Sequence, residues 1–301
     1  MKNGLLKFCI TIISVLAIVG GIDVVTDKAM NAALFHIDNV EQLGKTNYTL
    51  YELTAPIVIV GSSRASHHYD AKMISDSLGK VAYNAGRDGC FFTHNCCIIN
   101  TILDRYSPEM IIWEFSPSYF CDHKDSMTSM YPYYGRLDYV TTAIDSISPI
   151  SERVKLKSAI YRYNSQFLRV FTRMFFVRNA YDERLGYEPL PSKKLLSPLQ
   201  LQDLRKESNS LNEKAISRFV ETIKRAKQKG TKIIVVTSPI FGISKDTTLV
   251  NKLSELCALL DVKYMDCSQL YHEHPEYFND ISHMNHLGAR TYTNTIIQHV
   301  L

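Results

Sequence analysis

Five short apolar runs, separated by segments with helical periodicity, limit most strongly how this sequence can fold. Several of them are rich in β-branched residues and lack the alternation of apolar and polar positions, which is typical of strands buried on both faces. Strands that alternate with helices predict a parallel sheet covered by helices on both sides. The predicted strands are Ile57–Val60, Val81–Tyr83, Met110–Phe115, Lys232–Thr237 and Val262–Met265.

The segments between these runs predict helices, two of which end before a glycine that can cap them, Gly79 and Gly230. A segment at 120–210, rich in tyrosine, arginine and lysine, interrupts the alternation. At about 90 residues it is too long for a simple crossover, so it predicts a mostly helical insertion. It is either a structural cap with a solvated basic face or a surface for a polysaccharide or an anion. The predicted helices are Asp70–Leu78, Phe92–Tyr106, Leu211–Lys229, Lys245–Leu260 and His286–Val300.

Residues 1–28 form a separate segment, in which Lys2 and Lys7 precede an apolar run from Phe8 to Ile22. The pattern predicts a signal peptide or a single transmembrane helix, with a buried helix as the third alternative. We favour an uncleaved anchor. Basic residues on the N-terminal side place the rest of the chain outside the cytoplasm, in the periplasm or at the cell surface.

The composition excludes several classes of protein. The chain of 301 residues has 46% hydrophobic and 21% charged residues, as expected of a folded globular protein. A net charge of +4 is too small to indicate a nucleic-acid partner. The cysteines show no CxxC pair, and the histidines lack the HExxH spacing of a zinc hydrolase. We therefore expect neither a metal nor another cofactor.

Three unusual loops fall where ligands gather in open parallel sheets, at the carboxyl ends of the strands. The first contains Ser62 and Ser63, the second is the glycine-rich turn Tyr83–Gly89, and the third, Phe278–Ala289, contains an aspartate and a histidine. Each has a plain structural explanation, because serine and aspartate commonly cap helices and glycine commonly forms turns. Together they predict a site for acyl transfer.

The chemistry of such a site assigns a role to each residue. Ser63 is the candidate nucleophile, His283 the base that takes its proton, and Asp280 the carboxylate that orients the base. Asp280 and His283 are three residues apart, so their side chains can meet on one turn. The backbone N–H groups of Ser63 and Gly86 are the candidate donors to the oxyanion.

These loops resemble the sequence blocks of the SGNH, or GDSL-like, hydrolases. Gly61-Ser62-Ser63 stands where that family has Gly-Asp-Ser, Asn84-Ala85-Gly86 resembles its Asn-x-Gly turn, and Asp280-Ile281-Ser282-His283 resembles its Asp-x-x-His block. The resemblance covers residues 55–301, apart from the insertion. It implies a flavodoxin-like three-layer α/β/α sandwich with a five-stranded parallel sheet and a helical insertion, preceded by one transmembrane helix.

Two departures from the family pattern bear on function. Ser62 replaces the usual aspartate, as in members that are anchored to the membrane and modify surface polymers. The Gly-x-Asn-Asp block is missing, because the third strand runs into Trp113–Phe120, so Asn84 or Ser116 is left as an auxiliary donor. The resemblance implies a serine hydrolase or O-acyltransferase that acts on esters, such as acetyl groups of cell-surface glycans. The alternative is an inactive relative that binds or assembles an envelope polymer.

Overall fold

The computed structural model describes residues 2–34, 42–121, 126–164, 166–168, 170, 183–191, 210–242 and 247–299. The chain divides into two compact units. The N-terminal unit comprises Met1–Asp38 and Thr128–Asn179, and the sheet unit comprises Asn39–Met127 and Ala180–Leu301. The domain boundaries at residues 28 and 55 stay predictions.

The sheet unit is built on five parallel strands in the order β2-β1-β3-β4-β5, the order of the flavodoxin-like class. Each strand lies within one residue of its predicted bounds, and the prediction of a parallel five-stranded sheet is confirmed. The three central strands are apolar and almost wholly buried, which is why their positions are readable from the sequence. The strands are β1 (Ile57–Val60), β2 (Ala82–Asn84), β3 (Met110–Glu114), β4 (Lys232–Thr237) and β5 (Lys263–Asp266).

Helices surround this sheet. The chain reverses direction across the sheet after β2, and right-handed crossovers then place the helices before and after that strand on opposite faces. The C-terminal helix packs on the two helices that follow β1, while the helices that precede and follow β3 pack on each other. The helices of the sheet unit are Gln42–Tyr51, Ser63–His68, Ala71–Leu78, Phe92–Arg105, Glu213–Gln228, Thr248–Leu259 and His286–His299, with short 3-10 turns at Pro117–Phe120 and Pro275–Tyr277.

An aromatic cluster forms the core on one side of β3. Trp113 is fully buried, and its ring is parallel to that of Phe92 at a centroid distance of 6.2 Å. Phe115 and Phe219 close the cluster with centroids 5.3 and 5.4 Å from that of Trp113. This packing holds the end of β3, which is next to the predicted site.

The N-terminal unit contains one long helix, Lys2–Leu34, which by length and composition is able to cross a membrane. Its large apolar side chains between Leu5 and Val25 are exposed. The described part of the 120–210 segment that belongs to this unit is helical, as predicted. It contains a 3-10 turn at Thr128–Tyr133 and the helices Asp138–Ile147, Ile150–Lys155 and Ala159–Tyr163.

The second half of the long helix belongs to the folded part of this unit. Asp23, Asp27 and Asn31 are spaced four residues apart and so lie on one face. The Asp23 carboxylate accepts hydrogen bonds at the start of the helix Ala159–Tyr163, and Asp27 pairs with Arg162. The helix therefore continues beyond residue 28 because its polar face has partners more than 100 residues away.

Candidate active site

Ser63, His283 and Asp280 form a continuous hydrogen-bonded chain. The Nε2 atom of His283 lies 2.7 Å from the Ser63 Oγ atom, and its Nδ1 atom lies 2.9 Å from both carboxylate oxygens of Asp280. Since a carboxylate only accepts, Nδ1 carries the proton and Nε2 is free to accept the one on Ser63. The geometry is that of a nucleophile, a base and an orienting carboxylate.

Ser63 owes its position to the turn between β1 and the short helix that begins at this serine. The first backbone hydrogen bond of that helix runs from the N–H of Ser66 to the carbonyl oxygen of Ser62. The N–H of Ser63 precedes that bond and is one of the amides that a helix start leaves without an intrahelical partner. The candidate nucleophile and a candidate oxyanion donor therefore belong to the same residue.

A buried ion pair between Arg64 and Glu114 lies next to the candidate nucleophile in the chain. Glu114, the last residue of β3, is fully buried, and its Oε1 atom is 2.9 Å from the Nη2 atom of Arg64. Burial raises the pKa of Glu114, while Arg64 and hydrogen bonds from Ser62 and Ser238 act in the opposite direction. A charged residue within the apolar run of β3 was the available signal, because buried charges need partners.

Ser62 has a different role from the helix cap that its position suggests. It is the N-cap residue of the helix, but its side chain makes no capping hydrogen bond. Its hydroxyl and its backbone N–H act on the Glu114 carboxyl group and lower the pKa of that group. Ser62 is thus electrostatically coupled to the end of β3.

The glycine-rich turn after β2 packs closely against the helix Ser63–His68, which we call the serine helix. A Cβ atom on Gly86 would come within 2.4 Å of the backbone nitrogen of Ser66, so only glycine fits there. The N–H of Gly86 donates to the Asn84 Oδ1 atom at 2.9 Å. Its role as an oxyanion donor stays a prediction, and that role requires this hydrogen bond to be shared or released.

The two auxiliary candidates have other partners. Asn84 is fully buried, and its side-chain nitrogen donates to the carbonyl oxygens of Ala65 and Tyr69 at 2.7 and 2.9 Å. It therefore acts as a clamp between β2 and the serine helix. The hydroxyl of Ser116 lies 2.8 Å from that of Ser118. Neither Asn84 nor Ser116 forms these hydrogen bonds with Ser63, His283 or Asp280.

The histidine side of the site is more exposed and is organised by main-chain bonds. The N–H groups of Ser282 and His283 donate to Asp280 Oδ1 at 2.8 and 2.9 Å. The side chains of His283 and Asp280 are 25% and 49% exposed. Partial burial raises the pKa of the Asp280 carboxyl group. Hydrogen bonds from His283 and from the loop lower it by more, so the pKa lies below its usual value. Asp280 therefore stays ionised and can stabilise a protonated His283.

Two adjacent histidines of the serine helix support the site in different ways. His68 is fully buried, and its Nε2 atom accepts the N–H of Met284, the residue after His283, at 3.0 Å. Burial, with Arg64 nearby, holds the pKa of His68 well below its usual range, so it stays neutral. Its neighbour His67 lies with its ring centroid 5.6 Å from that of His283.

His67 is held by two acceptors. Its Nδ1 atom is 2.6 Å from the carbonyl oxygen of Glu188, and its Nε2 atom is 3.1 Å from Asp88. Burial opposes the charged form, but these partners outweigh it and raise the pKa of His67. Neither histidine is recognisable from the sequence alone as part of the site. Among the described residues, no group of three potential ligands is arranged to hold a metal ion.

The segment Glu183–Pro191, which we call the strap, connects both sides of the site. Its backbone accepts the N–H of Asn84 at Leu185 and the N–H of His286 at Leu190, and the N–H of Glu188 donates to Ser66. Gly186 has a φ of +83° and approaches so closely that a Cβ atom would lie 2.1 Å from the Asn84 carbonyl oxygen. Nothing in its sequence pattern predicts these contacts.

No protein-family profile matches this sequence, and no curated protein sequence matches it. The solved structures that are similar to it include the following three. A Bacteroides fragilis protein assigned as an acylhydrolase is 12% identical with a TM-score of 0.42, over 83% of this chain and 92% of that chain. A lipase/acylhydrolase from Enterococcus faecalis is 10% identical with a TM-score of 0.39, over 81% and 94%.

The third is a gut microbial diltiazem-metabolizing enzyme, 13% identical with a TM-score of 0.40. The match covers 80% of this chain but only 46% of that enzyme, so this chain spans about half of its length. Similarities at these TM-scores do not bear on function. The functional argument therefore depends on the geometry of the chain's own residues.

Proposed function

We propose that this protein is a serine-dependent ester hydrolase or acyltransferase that works through an acyl intermediate on Ser63. The observation that carries the proposal is the 2.7 Å hydrogen bond between Ser63 Oγ and His283 Nε2, in line with Asp280. A serine hydroxyl is a weak nucleophile, and a base in contact with it is the feature that activates it.

In the proposed reaction, Ser63 Oγ attacks the carbonyl carbon of the ester as its proton passes to His283 Nε2. Asp280 holds the imidazolium that forms. The negative charge on the carbonyl oxygen faces the N–H of Ser63 at the helix start. The intermediate collapses, the alkoxide leaves with the proton from His283, and the acyl group remains on Ser63.

The second half of the reaction decides between the two activities. Water or a sugar hydroxyl gives its proton to His283 and attacks the carbonyl carbon of the acyl-serine. The bond to Ser63 Oγ then breaks as His283 returns the proton to that oxygen, which releases a free acid or an acylated sugar. Acetyl groups of cell-surface glycans are the substrates that we propose. Incubation of the protein with acetylated glycans, with and without a free glycan acceptor, distinguishes hydrolysis from transfer by the product formed.

A fluorophosphonate probe, which reacts covalently with activated serines, tests the mechanism directly. We expect labelling of the native protein and none of the Ser63→Ala variant. The competing function is an inactive protein that binds an envelope polymer, and the bond from the Gly86 N–H to Asn84 favours it. No labelling of the native protein, alone or with glycans, would support that function instead.

We also propose that the long helix is an uncleaved anchor and that the sheet unit lies outside the cytoplasm. The helix continues past the apolar run without a break, and Asp23 and Asp27 are bound to the folded part of the N-terminal unit. Cleavage after Gly20 or Gly21 would cut the helix directly before these contacts. In spheroplasts, whose periplasm is open to added protease, a C-terminal tag should be digested. A tag that is spared there and digested only after lysis would be cytoplasmic and would contradict the proposal.

A further inference from the structure

Exposed apolar side chains are concentrated in one short stretch of the N-terminal unit. Among the described residues outside the long helix, eleven large apolar side chains are exposed, and six of them fall within residues 147–168. Scattered exposed apolar residues are normal on a protein surface, but such a concentration usually marks an interaction site. The six residues are Ile147, Ile150, Val154, Ile160, Phe167 and Leu168.

We use the name juxtamembrane face for Ile150, Val154 and Ile160, which are 70%, 59% and 46% exposed. Ile150 and Val154 are four residues apart on one helix, so they lie on the same side of it. A tyrosine and a glutamate join this helix to the next one, since Tyr161 donates to Glu152 at 2.7 Å. The three apolar residues therefore belong to one connected pair of helices.

This pair of helices is attached to the long helix where its apolar run ends. The Asp23 carboxylate accepts hydrogen bonds from the hydroxyl of Ser158 at 2.6 Å and from the N–H groups of Ala159 and Ile160 at 3.0 Å. Asp23 directly follows Ile22, the last residue of the predicted span. If residues up to Ile22 cross the membrane, Ile160 lies at the membrane surface.

A second contact one turn further along fixes the arrangement. Asp27 pairs with Arg162 and, at 2.9 Å, with Arg136. Four residues of helix advance by about 6 Å, so both contacts lie within roughly one turn of the end of the span. The pair of helices is held close to the membrane surface and cannot swing away without breaking these bonds.

The charges on the pair of helices suit an anionic membrane. Lys155, whose ammonium group lies 3.7 Å from the Glu152 carboxylate, and Lys157 are both exposed, and basic side chains near a surface of anionic lipids are attracted to it. Tyr161 lies under the Lys155 ammonium group, with 5.6 Å from Nζ to the ring centroid. Tyrosine next to lysine is typical of the boundary between headgroups and acyl chains.

We propose that the juxtamembrane face inserts into the headgroup region of the membrane that the long helix crosses, with Lys155 and Lys157 contacting anionic headgroups. This inference rests on the proposed anchor. The face then contributes a second, peripheral contact with the bilayer, in which apolar side chains reach about 5–10 Å into the boundary. The N-terminal unit would lie on the membrane rather than stand clear of it.

The test uses the full chain reconstituted into phosphatidylglycerol/phosphatidylcholine vesicles. A nitroxide is attached in turn to Ile150→Cys, Val154→Cys and the matched control Leu259→Cys, each with Cys9→Ser. Leu259 is 74% exposed but belongs to the sheet unit. A fourth sample carries the label on native Cys9, which is exposed on the long helix. Accessibility to oxygen, which concentrates in lipid, is compared with accessibility to a water-soluble nickel complex.

We expect the oxygen-to-nickel ratio at positions 150 and 154 to exceed that at 259 and to approach that at Cys9. Pure phosphatidylcholine, or Lys155→Gln with Lys157→Gln, should lower the ratio at 154 and leave that at Cys9 unchanged. Ratios at 150 and 154 equal to that at 259, with Cys9 in lipid, would overturn the inference and leave the anchor intact. A ratio at Cys9 as low as that at 259 would overturn the anchor itself. Low access to both reagents at 150 and 154 would indicate a second protein copy on this face and would also overturn the inference.

Discussion

The two sides of the candidate active site are held in different ways. The serine side depends on buried charge, since Arg64, the residue after Ser63, forms an ion pair with the fully buried Glu114. The histidine side is half exposed and is held by main-chain hydrogen bonds around Asp280. The serine side therefore couples the site to the stability of the fold, whereas the histidine side can be altered with little effect on folding.

Loss of the nucleophile should have the largest effect. Ser63→Ala is expected to abolish probe labelling and to lower turnover by at least ~1000-fold, as the loss of a triad nucleophile does. That is roughly 4 kcal/mol of transition-state stabilisation. Ser217→Ala, at an exposed serine of the helix Glu213–Gln228, is the control and should keep both labelling and turnover. Labelling that survives in Ser63→Ala would contradict the assignment of the nucleophile.

Removal of the buried Glu114 charge should lower the stability of the fold on the serine side of the site. Glu114→Gln leaves the Arg64 guanidinium without a counter-charge, and we expect a loss of about 3 kcal/mol in the free energy of unfolding. Glu109→Gln, whose partner Lys80 is exposed, is the matched control and should cost less than about 1 kcal/mol. Urea unfolding followed by circular dichroism measures both. Equal midpoints for the two variants would show that the ion pair does not support the fold.

On the histidine side the expected effect is kinetic. Asp280→Asn should lower turnover by as much as about 10⁴-fold, because the amide neither fixes the proton on His283 Nδ1 nor stabilises the imidazolium. The unfolding midpoint should change little, since the Asn oxygen can still accept the N–H groups of Ser282 and His283. Turnover and urea unfolding of the same preparation separate the two effects. A large shift of the midpoint would remove the contrast between the two sides.

Ser62 offers a smaller test of the serine side. Ser62→Ala removes a hydroxyl that lowers the pKa of the buried Glu114 carboxyl group, and we expect a loss of about 1 kcal/mol in stability. Probe labelling should persist because Ser63 is intact. If labelling is lost in Ser62→Ala and kept in Ser63→Ala, the two serines exchange their assigned roles.

The smallest expected effect is a pH dependence of stability from His67. Its pKa is raised in the folded state, so its pairing with Asp88 contributes fully below about pH 6.5 and is lost as the pH rises through that raised pKa. Because Asp88 is 41% exposed, the loss should stay under about 1 kcal/mol. His67→Gln should remove this slope from unfolding curves measured between pH 5 and 9, and His299→Gln should leave it in place. An unchanged slope in His67→Gln would contradict this origin.

Local patterns explain how far the sequence alone could predict the molecule. Buried parallel strands are apolar throughout, so their positions and the loops that follow them were readable, and Ser63, Asp280 and His283 lie in those loops. The ion pair of Glu114 joins the end of β3 to Arg64 in the helix after β1, and no local rule predicts this partner. The strap has no periodic pattern, because its contacts are single backbone bonds to distant parts of the chain.

The long helix illustrates the same limit. The first acidic residues, Asp23 and Asp27, resemble the end of a hydrophobic segment. The structure continues the helix to Leu34 because their partners, Ser158, Arg162 and Arg136, come from a later part of the chain. Helix ends that depend on tertiary contacts are not encoded in the residues beside them.

The position of Trp113 provides an intrinsic fluorescence signal for unfolding of the sheet unit. It is the only tryptophan in the chain, it is fully buried, and the next residue is Glu114. Its intrinsic fluorescence therefore reads the sheet unit alone, since the N-terminal unit contains no tryptophan. Ellipticity, by contrast, sums the helices of both units. The difference between the fluorescence midpoint and the ellipticity midpoint in one urea titration measures how independently the two units unfold.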